Sequence, residues 1–353
     1  MATLQDTLPL YDFPVPPEQV AQAPASPRDS SRLLVYRRDT GKKDWVTFRD
    51  IGQFLPKNAI LVLNRTKVIP AKLELTRSTG GKVSVLSLGV QNGVLKVMAN
   101  KGLKIGEELR LSSGGRLPAE GHPSTRLRVI NQDEKYWLLK PLEISTDDLF
   151  EQHGTMPLPP YIDKSPLTRN ELKERYQSVF AEHPGSIAAP TASLHFTPEL
   201  LQQLKAQGIQ YADVILHVHL GTFAPLDEEK WNSGRLHQES YEVPQATIDL
   251  LKQAKQEGRP IIPVGTTAVR TLETVFDASG NCTQPSGITD LFIREGYHFK
   301  MIDGMITNFH VPKSSLLMLV AAFVGRGKLM SLYAEAIERN MRLFSFGDAM
   351  LLI

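Results

Sequence analysis

Six short β-prone runs, with no helical periodicity between them, occupy the sequence from residue 72 to residue 140. The runs are 72–76, 82–88, 94–99, 108–111, 125–130 and 136–139, with Gly-rich turns at 80–81 and 112–115. Short strands separated by turn residues predict a small antiparallel barrel or sandwich. The sequence on either side has a mixed α/β pattern. We therefore predict that residues 69–140 form a β-barrel domain inserted into a domain made of residues 1–68 and 141–353.

The flanking sequence predicts a larger mixed-sheet domain with helices. Residues 59–64 are continuously apolar, as in a strand buried on both faces, and residues 213–220 alternate as in a half-buried strand. Thr197 followed by Pro198 indicates a helix start. A chain of 353 residues also exceeds what one hydrophobic core usually serves. The predicted fold class is α/β, of the mixed α+β kind, with the small antiparallel β-barrel inserted.

Positive charge is concentrated in the predicted barrel. Residues 65–140 contain fourteen Lys and Arg against six Asp and Glu, a net charge of +8, and the rest of the chain carries −6, so the whole is +2. Such asymmetry is typical of a surface that faces a polyanion. The alternative is that lysines on strand edges prevent aggregation.

Composition also limits the compartment and the chemistry. The single cysteine, Cys282, excludes a disulfide framework and any cysteine-based zinc or iron–sulfur site within one chain, and favours a reducing compartment. The first 17 residues lack a signal-peptide pattern, and the longest apolar run, 316–324, is too short to cross a bilayer. We predict a cytoplasmic protein with no membrane contact.

Polar side chains collect beside three predicted strands and one predicted helix. Because α/β proteins bind ligands at the carboxyl ends of strands, we expect these side chains to form the walls of one pocket. Thr191 and His195 precede the helix, and His217, His219 and Thr222 lie on or after the strand 213–220. Thr266 and Thr267 follow the strand 260–264, and Asn308 and His310 lie at the end of a third strand, 306–310.

Seven segments in a fixed order resemble one enzyme family. They are PLPPYI, RYQSVFA, APTASLHFT, LHVHLGTFAP, VGTTAVRTLE, ITNFHVPKSSLLMLVAAF and FSFGDAM. Together they resemble the S-adenosylmethionine:tRNA ribosyltransferase-isomerases of queuosine biosynthesis, from Phe13 to the C-terminus. The sequence departs from the family pattern at Arg65, Ser193 and His219.

The resemblance implies an activity, two substrates and no further cofactor. The family moves the ribosyl group of S-adenosylmethionine onto the aminomethyl group of a 7-deazaguanine base at the tRNA wobble position, and releases adenine and methionine. S-adenosylmethionine is thus a substrate, the partner is a tRNA with a modified wobble base, and neither a metal ion nor an obligate protein partner is implied.

A strand, a Gly-Thr-Thr turn and a helix start make residues 260–270 a candidate anion site. Helix N-termini bind anions through free N–H groups. We expect the methionine carboxylate of S-adenosylmethionine to bind near Thr266, Thr267 and Arg270. The alternative for Arg270 is an ion pair with Glu273 or a solvated side chain.

Histidines suit the acid and base roles of such a reaction because their ordinary pKa lies near neutral pH. His195, His217 and His310 are the candidates, without individual roles. Asp348, which follows a glycine near the C-terminus, is a candidate catalytic orienter on the resemblance. In the N-terminal segment, Arg28, Asp29 and Arg32 form either a substrate-binding group or a salt-bridged turn. Further substrate-binding candidates are Thr191, Thr222 and Asn308.

Two other functions fit part of the sequence. A metal-dependent hydrolase is suggested by His217 and His219 on one strand face with His195 in the same region. A non-catalytic RNA-binding protein is suggested by the basic barrel, but it leaves the histidines and hydroxyls at strand ends without a role.

Overall fold

The computed structural model describes residues 3–111, 125–219 and 225–353. The described strands are β1 (Arg32–Tyr36), β2 (Lys43–Thr47), β3 (Ile60–Asn64), β4 (Thr66–Val68), β5 (Lys72–Arg77), β6 (Lys82–Gln91), β7 (Val94–Ala99), β8 (Glu108–Leu111), β9 (Arg126–Asp133), β10 (Tyr136–Pro141), β11 (His183–Ser186), β12 (Gln210–Leu216), β13 (Arg235–Glu242), β14 (Ile261–Pro263), β15 (Ser286–Leu291), β16 (Met305–Asn308) and β17 (Ala349–Leu352).

The described α-helices are α1 (Leu4–Thr7), α2 (Thr146–His153), α3 (Arg169–Arg175), α4 (Pro198–Ala206), α5 (Glu228–Ser233), α6 (Gln245–Glu257), α7 (Thr266–Val275), α8 (Ser315–Val324) and α9 (Arg326–Glu338). Short 3₁₀ helices cover Leu8–Tyr11, Pro17–Gln19, Arg28–Ser30, Phe48–Gln53 and Thr191–His195. The chain divides into two compact units, one of Met1–Val68 with Pro159–Ile353 and one of Ile69–Leu158.

The smaller unit is a closed antiparallel barrel with the strand order β10-β7-β6-β5-β8-β9. Alternate residues of each strand point inward, so Leu73 and Leu75 of β5 and Val83 and Val85 of β6 are fully buried. This confirms the fold class predicted from the short β-prone runs. The unit continues to Leu158, beyond the boundary expected at residue 140, because α2 packs Leu149 into the same apolar cluster.

The boundary changes the charge of the barrel unit. Residues 69–158 contain twelve Lys and Arg against ten Asp and Glu, a net charge of +2, because the added segment brings four acidic residues and no basic one and because Arg65 and Lys67 lie outside the unit. The +8 of residues 65–140 therefore does not describe this unit. Its described part also pairs five basic side chains with carboxylates, namely Lys72, Arg77, Lys96, Arg126 and Arg128.

The larger unit is built on two main sheets. A five-stranded sheet has the order β14-β3-β12-β13-β15, in which β14, β3 and β12 are parallel and the other pairings are antiparallel. A four-stranded sheet has the order β16-β17-β1-β2, and β4 and β11 form a parallel pair. The strand β3 is buried on both faces: Ile60 and Val62 belong to one apolar cluster, and Leu61 and Leu63 to another. That arrangement explains its continuous apolar sequence.

The strand β12 is shorter than the alternation predicted. It ends at Leu216, so His217 and His219 lie after the strand, not on one face of it. Asn64, the last residue of β3, joins the strand ends here: its amide donates to the carbonyl oxygen of Leu216 and to Oγ1 of Thr267. The predicted helix beginning after Thr197 is present as α4, and the Thr197 hydroxyl accepts a hydrogen bond from the N–H of Leu200.

Within the described residues, no single helix has the length and apolar character needed to span a bilayer. The pair α8 and α9 meets those criteria only when taken together, and it is bent by 111°.

Candidate active site

A cavity of about 580 Å³ lies in the larger unit. Its walls come from the end of β16, the first residues of α7 and α8, and the segments 188–192 and 344–345. The sequence predicted a pocket with walls from the segment around residue 191, the start of α7 and the end of β16, and the structure brings Thr191, Thr266, Thr267, Asn308 and His310 together in its lining. The first residues of α8 are a wall that the sequence did not predict. Thr222 lies outside the described residues.

The first turn of α7 faces the cavity. Gly265 precedes the helix with a φ of +88°, a conformation that favours glycine, and it offers no side-chain cap to the first N–H groups. Oγ1 of Thr267 accepts a hydrogen bond from Asn64 at 3.1 Å. Thr266 is 6% exposed, and its hydroxyl has no hydrogen-bond partner within the described ranges. The free N–H groups, the positive end of the helix dipole and this hydroxyl suit an anion.

Asn308, at the end of β16, lies at the centre of a hydrogen-bonded cluster in the cavity wall. Its Nδ2 donates to the carbonyl oxygen of Phe344 at 3.1 Å and lies 3.3 Å from Nε2 of His195. Its Oδ1 accepts from the hydroxyl of Thr191 at 3.2 Å. Thr191 and His195 are the two ends of one 3₁₀ helix, so this single turn holds the amide from both sides.

His195 lies behind Asn308 and outside the cavity lining. Its ring is 5% exposed, stacks on Phe48 with 4.9 Å between centroids, and places Nδ1 2.7 Å from Oγ of Ser31. Burial lowers the pKa of His195 to about 3, and the charge of Arg342 adds to the effect. The imidazole is therefore neutral at working pH.

His310 lines the cavity, and its Nε2 lies 2.8 Å from Oγ1 of Thr307. Its backbone N–H donates to the hydroxyl of Tyr333 at 2.7 Å, which fixes the chain just after β16. Burial lowers the pKa of His310 to about 4. It is thus a neutral side chain beside the cavity at pH 7.

His217 faces away from the cavity. Its neighbour Val218 lines the cavity, whereas Nδ1 of His217 lies 2.8 Å from Oγ1 of Thr66. The ring packs against Gly185, where an added Cβ would lie 2.7 Å from Cε1. Burial, followed by the nearby His219, keeps the pKa of His217 below its ordinary value.

Arg270 does not line the cavity, contrary to the placement expected beside Thr266 and Thr267. Its Nη1 donates to Oε2 of Glu239, and its Nε donates to the carbonyl oxygen of Leu291 at 3.2 Å. The two charged residues are 5% and 2% exposed, so they form a buried ion pair. The alternative of a paired arginine is therefore the better description, with Glu239 as the partner in place of Glu273.

Arg28 and Asp29 also lie outside the cavity lining. The guanidinium of Arg28 donates to the backbone carbonyl oxygens of Gln177 and Glu174 at 2.6 and 2.8 Å. Asp29 lies 3.6 Å from Arg49, in an ion pair. These contacts fit the salt-bridged turn, the alternative to a substrate-binding role.

Asp348 and Arg32 connect the C-terminal segment to the start of β1. The buried carboxylate of Asp348 accepts from the backbone N–H groups of Arg32 and Arg342, at 3.0 and 2.8 Å. The side chain of Arg32 donates to the carbonyl oxygen of Arg339 at 2.8 Å. Neither residue lines the cavity, so Asp348 is placed to hold the backbone and does not touch the three histidines as an orienter.

The histidines of the hydrolase alternative are not assembled into a metal site. His195 is held by Ser31 and Asn308, whereas His217 is held by Thr66. In the part of the chain that the structure describes, no three His, Cys, Asp or Glu side chains are grouped so that they could bind a metal ion.

Residues 8–352 match the family described as "Queuosine biosynthesis protein". The chain belongs to this family. Curated relatives named S-adenosylmethionine:tRNA ribosyltransferase-isomerase include one from Thermotoga maritima, 42% identical over 347 residues, which cover 97% of this chain and 98% of the relative. Another, from Heliobacterium modesticaldum, is 45% identical over 351 residues, covering 98% and 99%.

A solved relative has a similar fold. It is the crystal structure of the S-adenosylmethionine tRNA ribosyltransferase from Thermotoga maritima, which aligns with a TM-score of 0.54 and 34% identity over 98% of this chain and all of that one. The family resemblance drawn from the seven sequence segments is thus confirmed.

In this queuosine biosynthesis family member, sequence reasoning missed three cavity residues at one wall. The hydroxyl of Tyr161 lies 2.7 Å from Oγ of Ser345, and its ring packs on Phe344 with 5.0 Å between centroids. Burial raises the pKa of Tyr161 to about 12, so the phenol stays protonated. The signal was available, because the segments PLPPYI and FSFGDAM contain these residues, but only Asp348 was selected from them.

Lys313 is a further lining residue that the sequence analysis did not select. It adopts a φ of +57° just before Ser314, the N-cap of α8, and its Nζ lies 2.7 Å from Oδ2 of Asp12. The positive charge of this lining residue is therefore paired with a carboxylate.

Proposed function

We propose that this chain transfers and isomerises the ribosyl group of S-adenosylmethionine onto the aminomethyl group of 7-aminomethyl-7-deazaguanine at the wobble position of a tRNA. The product is epoxyqueuosine-tRNA, and adenine and methionine leave. The observation that carries the proposal is the family match over residues 8–352, together with the printed names of relatives that share the whole length.

The direct test is incubation with S-adenosylmethionine and a tRNA that carries the aminomethyl base. We expect adenine and methionine to appear in equal amounts, and only when this tRNA is present. The matched control is the same tRNA with guanine at the wobble position. Release of methionine without adenine, or release that does not depend on the modified base, would contradict the proposal.

The first turn of α7 is proposed to bind the methionine carboxylate. Its free N–H groups and the unpartnered hydroxyl of Thr266 support this. We expect Thr266→Val to raise the KM for S-adenosylmethionine about tenfold, since a hydrogen bond to a charged group is lost. Thr271→Val is the control, because Thr271 lies on the same helix, fully buried and away from the cavity. An equal KM for the two variants would exclude this contact.

The barrel unit is proposed to contribute phosphate contacts to tRNA binding. The net charge of the unit is +2, and Lys104 and Arg110 are exposed and form no ion pair within the described residues. If both contact phosphates, replacing them with glutamine lowers the slope of log affinity against log salt by roughly 1.5. Lys205→Gln with Lys252→Gln, exposed positions of the larger unit, provides the control. An unchanged slope would place the contacts elsewhere.

A further inference from the structure

The amide of Asn308 has only one orientation that satisfies its neighbours. The carbonyl oxygen of Phe344, 3.1 Å from Nδ2, can only accept, so the NH₂ group must point toward it. With the amide reversed, two acceptor oxygens would face each other in a buried site. The second hydrogen of the NH₂ group then points toward Nε2 of His195, at 3.3 Å.

The orientation of Asn308 fixes the proton position on His195. Because Nε2 faces an N–H donor, it must be the unprotonated nitrogen, and Nδ1 must carry the proton. The Nδ1–H group then donates to Oγ of Ser31 at 2.7 Å. A protonated imidazole would place two donors against each other, so the site is built for the neutral ring.

The same orientation gives the cavity wall a single hydrogen-bonding character. The hydroxyl proton of Thr191 is donated to Oδ1 of Asn308, which leaves the lone pairs of Oγ1 of Thr191 and one lone pair of Oδ1. Both residues line the cavity. This wall therefore offers acceptors, and a ligand group that faces it must be a donor.

The acceptor wall lies next to the donor wall formed by α7. A Cβ placed on Gly265 would be 3.8 Å from the Cβ of Ala192, the residue that follows Thr191. Donors for a carboxylate and acceptors for an ammonium group are thus side by side, as the two charged ends of an α-amino acid require. The neighbouring carboxylate site favours this source of ammonium over the amine of the tRNA base.

We infer that His195 is a positioning residue that holds Asn308, and that Asn308 and Thr191 bind the α-ammonium group of S-adenosylmethionine. This inference rests on the proposed function for its ligand. In this inference His195 does not contact the reacting atoms, and it is not one of the residues that donate or accept a proton in the reaction.

The first test measures the tautomer of His195 directly in the wild-type protein. Nitrogen-15 correlation spectra of the histidine rings distinguish Nδ1–H from Nε2–H, and the His195 signal among nine histidines is the one lost in His195→Gln. We expect Nδ1–H, with no titration between pH 8 and pH 5. A spectrum showing Nε2–H, or a midpoint near pH 6.5, would overturn the inference.

The second test compares two unreactive ligands that differ only in the amino group. They are S-adenosylhomocysteine and its analogue with hydrogen in place of the α-amino group, measured by calorimetry with tRNA present. Wild type should bind the amine-bearing ligand about tenfold more tightly, as expected for charge-assisted hydrogen bonds. A second arm uses tRNA with and without the aminomethyl group, and no change in this ratio is expected if the ammonium comes from the nucleoside ligand.

Two variants separate positioning from a general structural role. His195→Gln can keep an acceptor near the position of Nε2 and should retain the tenfold preference, whereas His195→Leu removes the acceptor and should bind both ligands within about twofold of each other. A structural role would weaken both ligands equally and leave the ratio unchanged, which would overturn the inference. Equal binding of the two ligands by wild type would overturn the inference alone, and failure of both to bind would overturn the proposed function with it.

Discussion

Replacing His195 with glutamine is expected to make the larger unit less sensitive to acid. The folded protein holds His195 with a pKa of about 3, mainly because the ring is buried. Unfolding exposes the ring and restores an ordinary pKa of about 6.5. As the pH falls, the ring takes up a proton in the unfolded chain at a higher pH than in the folded protein. The contribution of the neutral His195 ring to the free energy of unfolding is therefore complete above pH 6.5 and is lost as the pH falls toward 3.

The magnitude follows from the two pKa values. At pH 5 the unfolded state is almost fully protonated at this residue and the folded state almost not at all, which costs about 2 kcal/mol of unfolding free energy relative to pH 7.5. His310, with a folded pKa of about 4, adds a cost of about the same size. Glutamine does not titrate, so the variant should lose about 2 kcal/mol less than wild type between the two pH values.

Urea unfolding at pH 7.5 and pH 5.0 measures the effect. Two of the three tryptophans, Trp45 and Trp231, are in the larger unit, and a Trp137→Phe background limits the fluorescence signal to the relevant transition. The difference between pH values is compared within each protein, so any constant effect of the substitution cancels. His298→Gln removes an exposed histidine of the same unit and controls for the loss of a histidine as such. Equal losses in wild type and His195→Gln would refute the reasoning.

Two further substitutions test the packing around the strand ends. Glu239→Gln leaves the charge of Arg270 buried without a carboxylate and should lower the free energy of unfolding by about 3 to 5 kcal/mol. The double variant Glu239→Gln, Arg270→Met removes that buried charge and should recover most of the lost stability. Urea unfolding measures it, and a stable single variant would contradict it. Gly185→Ala should cost about 1 to 3 kcal/mol more than Gly89→Ala, because both glycines have a φ of +151° but only Gly185 has a close neighbour, the ring of His217. Similar losses in the two alanine variants would show that the ring moves aside freely.

The barrel was predictable because its signal is local. Each strand of the smaller unit buries alternate side chains inside a closed sheet, so the period of two is visible in runs of four to ten residues. The C-terminal boundary of the unit was not predictable. The helix α2 joins the barrel through Leu149, and the sequence of an amphipathic helix does not indicate which sheet it packs against. The charge assigned to the barrel depended on that boundary.

The place of the cavity was predictable, but the direction of individual side chains was not. The strand ends near Thr266 and Asn308 belong to different sheets, and they converge because Val264, just after β14, forms a parallel bridge with Ile306 of β16. Whether Arg270 faces that edge depends on Glu239, which is 31 residues away in sequence and buried beside it. His217 turns away because Thr66 binds it on the other side, and no local pattern contains that contact.

The positions of the three candidate histidines reduce the number that could donate or accept a proton in the proposed reaction. Of the three candidate histidines, all in the described part of the chain, His310 is the one that lines the cavity. With a pKa of about 4 it is neutral at pH 7 and is a weaker base than an ordinary histidine. A bound carboxylate near the first turn of α7 would raise that pKa, since negative charge favours the protonated ring, and a sulfonium would lower it. We therefore propose that His310 accepts the proton beside the sulfonium once a bound carboxylate has raised its pKa, and that the proton for departing adenine comes from the protonated ring or from water.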